Sequence, residues 1–328
     1  MSYSFFGTCA NDHKQLFGCL HTILNQTILP KELILVDSGD HNIEKKIVEI
    51  ISEKKICFIY ISRKLSRVKA LNIALDLSSA DFSMRFDSRA RFSEDYAENA
   101  LKFLNNKSIN AKVVGGIPEF KYEIENFESK LCAEVMGRPY VFLYPKHRRN
   151  KFEGYSSSLY LGCFNTKILK QIKFRETTSI ISEDSLIICD FNEKTFKSFI
   201  SHSIKVSYIT RSSFVNILML FNTYGYCRAN TILFSKRLFI SKRHFFVFVA
   251  SNFLFIILFK YFSISSLVFL PLLLFLLNLF GEIFLKKKDS QFYLPFYATL
   301  CQFSWIIGFI WNLMTIFKRK NIETNFIS

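Results

Sequence analysis

Between Glu193 and Glu282 the chain carries no acidic residue at all. Its eight cysteines, at positions 9, 19, 57, 132, 163, 189, 227 and 301, include no CxxC pair. That scatter excludes the usual spacing of a structural zinc site and a disulfide framework, and it fits a reducing compartment. No zinc finger or RRM-like reading motif accompanies the formal net charge of +16, so nucleic acid is not an expected partner. Residues 1–12 have no basic n-region and contain Asn11 and Asp12, so no signal peptide is expected and the N-terminal domain should stay cytoplasmic. What the chain has in quantity is apolar surface and positive charge. Half of its residues are hydrophobic, 38 of them Phe. Apolar and basic together point to a membrane-bound protein. A length of 328 residues leaves room for one large domain or two ordinary ones.

Along the first hundred residues, strand and helix patterns alternate. Tyr3–Cys9 reads as a short buried strand, and Glu32–Val36 as a continuous apolar run, the mark of a strand buried on both faces. Leu16, Leu20, Ile23 and Leu24 recur at helical spacing within 14–24. A second helix is expected over 43–52, a strand over 56–61, and a helix from Arg67 to Leu77. A strand then ends at Asp87. Four such alternations predict βαβ units and a mainly parallel sheet. Two of the strands deliver a carboxylate, Asp37 and Asp87, to the same C-terminal edge, where open α/β sheets bind ligands. Two acids on one edge favour a nucleotide site over a simple helix cap at Asp87.

Further on, Lys112–Gly116 reads as a strand closed by a glycine turn, and 160–165 as another strand. The segment 137–154 reads as a basic loop, with Arg138, Lys146, His147, Arg148, Arg149 and Lys151. It is expected to be a solvated, membrane-facing surface; a phosphate or diphosphate group is the alternative partner. Glu183 and Asp184 open an apolar helix. They are either first-turn acids favoured by the helix dipole or the source of a general base.

The expected organisation is an α/β domain over 1–210, a basic amphipathic interface segment over 211–243, a transmembrane region over 244–320 and a tail over 321–328. The apolar segments lie at 245–262, 264–285 and 292–317, each near the roughly 20 residues that span a bilayer. Placing Lys286–Lys288 beside Lys242 and Arg243 obeys the positive-inside rule, whereas Lys318–Lys320 then falls outside. Either the rule is broken there or 292–317 is a re-entrant pair. Glu282, beside the lysines, reads as interfacial.

Seven segments, in order, resemble glycosyltransferase family 2, and within it the membrane-associated branch of succinoglycan-type exopolysaccharide transferases. They are Thr8-Cys9-Ala10-Asn11-Asp12, the run NQTILPKELILVDSGD at 25–40, SRKLSRVKALNIAL at 62–75, RFDSRARFSEDY at 85–96, VVGG at 113–116, Ser182-Glu183-Asp184, and Tyr224-Gly225 with Arg228. The resemblance covers roughly residues 3–230. It implies a GT-A-like α/β fold with a mainly parallel nucleotide-binding sheet, an interfacial helix and C-terminal transmembrane helices.

It also implies a set of roles. Thr8, Asn11, Asp37, Arg67, Asp87, Arg89 and Arg228 would bind a nucleotide-sugar, Asp37 at the base or ribose and Asp87 at the ribose and diphosphate. Asp184, with Glu183 beside it, would be the catalytic carboxylate of an inverting transfer. The expected donor is a UDP-sugar, and the acceptor a lipid-linked glycan of a cell-surface polysaccharide. A transfer to polyprenyl phosphate, or a non-catalytic scaffold of the assembly machinery, are the alternatives. Membrane lipids complete the partners, and the expected location is the bacterial cytoplasmic (inner) membrane, multi-pass. One departure touches the metal. The family's DXD acid that usually holds Mg²⁺ or Mn²⁺ is Arg89 here, and a guanidinium has no lone pair to offer. Arg89 then replaces the cation electrostatically, or Asp87 alone holds a water-rich ion, or the transferase is inactive.

Overall fold

The computed structural model describes residues 1–52, 54–142, 145–148, 151–177, 179–235, 266–285 and 291–325. They divide into two compact units. The first comprises Met1–Lys121, Lys146–Thr178 and Glu183–Thr210, and the second Tyr122–Pro145, Ser179–Ser182 and Arg211–Ser328.

The first unit is built on one sheet. Its opening strands are β1 (Tyr3–Cys9), β2 (Glu32–Asp37), β3 (Cys57–Ser62) and β4 (Phe82–Asp87), alternating with α1 (His13–Leu24), α2 (Glu44–Ile51) and α3 (Arg67–Leu77). These four strands are parallel, in the order β3-β2-β1-β4. Successive residues of a strand face opposite sides of the sheet, and both sides are covered. Phe5, Leu33 and Leu35 meet Leu16, Leu20 and Ile47 on one face. Phe6, Ile34 and Val36 meet Ala70, Leu71 and Leu75 on the other. That double burial is why the strands read as continuous apolar runs rather than alternating ones.

The sheet continues as β8-β6-β9-β5. These are β5 (Ala90–Phe92), β6 (Ala111–Lys121), β8 (Tyr160–Asn165) and β9 (Lys197–Ile209), with β7 (Gly154–Tyr155) beside β9. β8 runs antiparallel to both β4 and β6. Helices α4 (Tyr96–Asn105), α6 (Thr166–Ile172) and α7 (Glu183–Glu193) complete the unit. The glycine turn expected at Gly115-Gly116 is not a turn: β6 runs straight through it. The glycines instead mark shifts of register against both neighbouring strands. A Cβ added at Gly116 would lie 1.9 Å from the Ile204 carbonyl oxygen, so only glycine lets β9 approach there.

The second unit is helical, with α5 (Phe127–Met136), a 3₁₀ turn at Pro139–Phe142, α8 (Phe214–Ser235), α9 (Ser266–Phe284) and α10 (Leu294–Asn325). Helices α8 and α10 cross on glycine. A Cβ at Gly225 would meet the Trp305 carbonyl oxygen at 1.9 Å, and one at Gly308 the Asn222 carbonyl oxygen at 2.1 Å. Side chains stitch the crossing to backbone carbonyls: Asn222 donates to Ser304 (3.2 Å), Ser304 to Leu218 (2.7 Å) and Asn312 to Tyr226 (2.8 Å). Small residues and side-chain hydrogen bonds are how helices associate where apolar burial alone gives no preference.

Two expectations change here. Among the described residues one helix, Leu294–Thr315, is long and apolar enough to cross a membrane; the apolar stretch Pro271–Phe284 of α9 is shorter. The segment 245–262 lies outside the described residues, so a multi-pass arrangement is not supported. Residues 292–317 do not form a re-entrant pair, because α10 continues unbroken to Asn325. Glu282, expected at the membrane interface, is enclosed by protein. It is 2% exposed. Arg138 donates to it twice, Nε to Oε2 at 2.9 Å and Nη2 to Oε1 at 3.1 Å, and the Tyr140 hydroxyl donates to Oε2 at 2.9 Å. Arg138, expected on a solvated loop, is buried with it.

Candidate active site

Strand register alone assembles the first half of the site. β1 lies between β2 and β4, with Cys9 opposite Asp37 and Thr8 opposite Asp87. Both carboxylates therefore stand on the C-terminal edge, as the sequence predicts. Asp37 is buried, accepting the Gly39 N–H on Oδ1 (2.9 Å) and the Tyr60 hydroxyl on Oδ2 (3.0 Å). Asn11, in the left-handed region at φ 61°, turns the chain from β1 into α1. Its side chain clasps Asp40, donating from Nδ2 at 2.8 Å and accepting the Asp40 N–H at 2.9 Å. Lys64 also pairs with Asp40 at 2.7 Å and, as the larger influence, holds its carboxyl below the usual range.

The second half is an alternating cluster of charge. Arg67, at the start of α3, donates to Asp87 Oδ1 and to Glu183 Oε1, each at 2.8 Å. Arg85, buried in β4, donates to the same Glu183 oxygen at 2.9 Å and lies 3.6 Å from Asp87. Burial by itself would raise the Glu183 carboxyl, but the two guanidiniums outweigh it and hold the group down at about 2. Glu183 is thus an anion throughout the working range. Asp184, one residue on, is exposed at the first turn of α7 and acts electrostatically on Arg67.

A carboxyl lowered on folding stabilises the folded state above its unfolded value, near 4.3, and loses that contribution as pH falls toward about 2. Wild-type protein is therefore expected to lose stability across that acid window more steeply than Glu183→Gln, in unfolding curves recorded from pH 5 to pH 2.5. Parallel curves would place Glu183 outside the ion-paired cluster.

Arg89 does not project an open charge. Its Nε lies 2.9 Å from Asp12 Oδ2 and its Nη2 donates to Asp12 Oδ1 at 3.2 Å. Its Nη1 reaches the carbonyls of Ile209 and Thr210 at 3.4 Å. The two-carboxylate cradle of a DXD cation is accordingly missing. One acid position is a guanidinium, and the other, Asp87, already receives Arg67. These residues do not fit that ion.

Thr8, Asn11, Asp37, Arg67, Asp87, Arg89, Glu183 and Asp184 all belong to the first unit, where contacts join Arg67, Asp87 and Glu183, and Arg228 belongs to α8 of the second. Sequence reading missed Asp12, His13, Tyr60 and Arg85. Asp12 stands inside a matched segment, and Arg85 left a signal as the one charged residue in the run Phe82–Phe86, two positions before Asp87 and so on the same face of the strand.

Residues 7–170, half of the chain, match the profile of the family described as Glycosyl transferase family 2. The chain belongs to that family. This family 2 glycosyltransferase matches no curated protein sequence. Among solved structures it is similar to the mannosyltransferase PcManGT from Pyrobaculum calidifontis, solved in complex with GDP-Man and Mn²⁺. The TM-score is 0.54 at 13% identity, with 94% of this chain and 87% of that one covered. It is also similar to residues 1–349 of TarS from S. aureus, with a TM-score of 0.47, 13% identity and coverage of 94% and 90%. The likeness to PcManGT concerns the fold, a mixed α/β GT-A architecture.

Proposed function

We propose that this glycosyltransferase is an inverting enzyme that moves a sugar from a nucleotide-sugar, a UDP-sugar first, to a lipid-linked glycan at the cytoplasmic face of a membrane. The observation that carries the reading is the cluster in which Arg67 and Arg85 bind Asp87 and Glu183 beside the exposed Asp184. Asp37 takes the base or ribose, with Thr8 and Asn11 lining the same edge. Asp87 takes the ribose, Arg67 and Arg85 supply the positive charge that the diphosphate requires, and Arg89 joins them by exchanging its Asp12 pair for a phosphate oxygen. Glu183, fixed as an anion, orients the arginines.

Asp184 is the base. It takes the proton of the acceptor hydroxyl as that oxygen bonds to the anomeric carbon. The bond from that carbon to the diphosphate oxygen breaks, and the electron pair leaves with the nucleoside diphosphate. Attack from the face opposite the leaving group inverts the anomeric configuration. Arginine stabilises the developing negative charge where a cation otherwise would.

Membrane association is supported by the second unit, whose helices hold outward Leu276, Phe280 and Phe284 on α9 and Phe296, Trp311 and Met314 on α10. An apolar surface of that kind suits lipid or a lipid-linked acceptor rather than water. Domain limits of 1–210, 211–243 and 244–320 belong to the same proposal, as does a role in cell-surface polysaccharide assembly.

The test uses full-length protein in lipid nanodiscs, a panel of UDP-, GDP- and dTDP-sugars, and polyprenyl-diphosphate glycans or polyprenyl phosphate as acceptors. Proton NMR of the product is expected to show the anomeric configuration opposite to the donor's. A product that keeps the donor's configuration would contradict direct displacement. Turnover with polyprenyl phosphate alone would replace the glycan acceptor.

A further inference from the structure

One group of metal-ligating side chains stands apart from the charge cluster. Cys9 ends β1, His13 opens α1, and Asp37 ends β2. One ligand atom from each falls within 4.8 Å of the others. Cys9 is 4% exposed and Asp37 1%. His13 Nε2 is buried and has no hydrogen-bond partner, although Asp37 Oδ2 is only 3.2 Å away. A ring nitrogen 3.2 Å from a carboxylate oxygen without hydrogen-bond geometry between them, and a cysteine sulfur within 4.8 Å of both, are three kinds of ligand facing one space. A cation is what such an arrangement accommodates.

The surroundings are ordered for it. The left-handed Asn11 sets the Cys9-to-His13 loop, and its clasp on Asp40 fixes that loop to the tip of β2. Gly39 and Tyr60 donate to the Asp37 oxygens, the kind of outer hydrogen bonding that orients a ligating carboxylate. Gly39 also leaves room: a Cβ there would sit 3.0 Å from His13 Nε2 and from an oxygen of each of Asn11 and Asp37.

Sulfur, imidazole and carboxylate together suit zinc rather than magnesium or calcium, and three protein ligands leave a fourth position open. Around a tetrahedral zinc, ligand atoms lie roughly 3.3–3.7 Å apart, so small side-chain rotations close the site. No sequence spacing announces it, because the third ligand arrives on a neighbouring strand.

We propose that Cys9, His13 and Asp37 form a zinc-class cation site, and that a bound cation and the nucleotide exclude each other. The exclusion rests on the reading of Asp37 as the contact for the base or ribose. Zinc would then act as an inhibitor of donor binding, unlike a cation that bridges substrate phosphates.

The experiment titrates metal-stripped, full-length protein with Zn²⁺ by calorimetry and with Cd²⁺ by the ultraviolet thiolate-to-cadmium band. Cys9→Ser, His13→Ala and, for the exposed thiol, Cys57→Ser are compared, with circular dichroism as the check of folding. One cation per chain is expected. Affinity should fall by ~10-fold or more in Cys9→Ser and His13→Ala, and hold in Cys57→Ser. Absence of the band, or a band lost only in Cys57→Ser, overturns the site. If Cys9→Ser does not fold, an unchanged affinity in His13→Ala is enough to overturn it, and a loss there to support it.

UDP binding is then measured with Zn²⁺ and with EDTA. Zinc is expected to weaken it by ~10-fold or more, and simultaneous binding of both overturns the exclusion. Protein that shows the cadmium band yet binds no nucleotide in EDTA refutes the transferase reading while leaving the metal site standing.

Discussion

Asp184→Asn is expected to slow sugar transfer by about 10²- to 10⁴-fold, the usual contribution of a general base, while donor binding persists. Amide for carboxylate keeps the shape but cannot accept the acceptor's proton. Asp184 is exposed at a helix start, so the variant should fold as the wild type does. Its neighbour separates the two roles. Glu183 is bound by two arginines and held ionised, so Glu183→Gln is expected to weaken donor binding along with turnover rather than turnover alone. Donor binding is read by calorimetry and turnover by release of nucleoside diphosphate. An Asp184→Asn enzyme that turns over normally would remove Asp184 from the chemistry.

The largest expected effect on stability lies in the second unit. Arg138→Ala leaves the Glu282 carboxylate buried with only the Tyr140 hydroxyl of its three hydrogen bonds. Breaking one side of a buried pair costs about 3–5 kcal/mol, because the remaining charge must be neutralised or carried uncompensated. A melting temperature in detergent well below wild type is the expected reading. The double replacement Arg138→Met with Glu282→Leu should recover most of the loss, since an apolar pair of similar volume needs no compensation. A single variant that melts with the wild type would mean that Glu282 is solvated after all, as its place in the sequence suggested.

That contrast shows which kinds of feature a sequence carries. The parallel half of the sheet was legible because its strands are buried on both faces and its helices repeat apolar residues at helical spacing. Asp37 and Asp87 were legible for the same reason: each terminates such a run, so its place on the edge follows from the strand. The antiparallel half was harder. β5, β7 and β9 are short or alternate only partly, and the Gly115-Gly116 pair imitated a turn where it serves a close strand approach. Ion pairing was not legible at all. Arg67 meets Glu183 across 116 residues and Arg138 meets Glu282 across 144, and neither spacing has a signature. Arg89, whose lack of a metal-binding lone pair was plain from its side chain, acquired a partner in Asp12 that only the fold reveals. Length and hydropathy suggested three membrane segments. Within the described residues, the polar groups of α9, Asn278 and Glu282, are turned inward to Thr299, Gln302 and Arg138, which no window average separates from an outward-facing residue.

Donor binding by detergent-purified, full-length protein in excess EDTA bears on the whole site at once. With Arg67, Arg85 and Arg89 holding the diphosphate, saturable binding of at least one nucleotide-sugar is expected to survive EDTA and to weaken in Arg67→Ala. Binding that vanishes in EDTA and returns only with Mg²⁺ or Mn²⁺ would contradict an arginine-held diphosphate and restore Asp87 as a cation ligand.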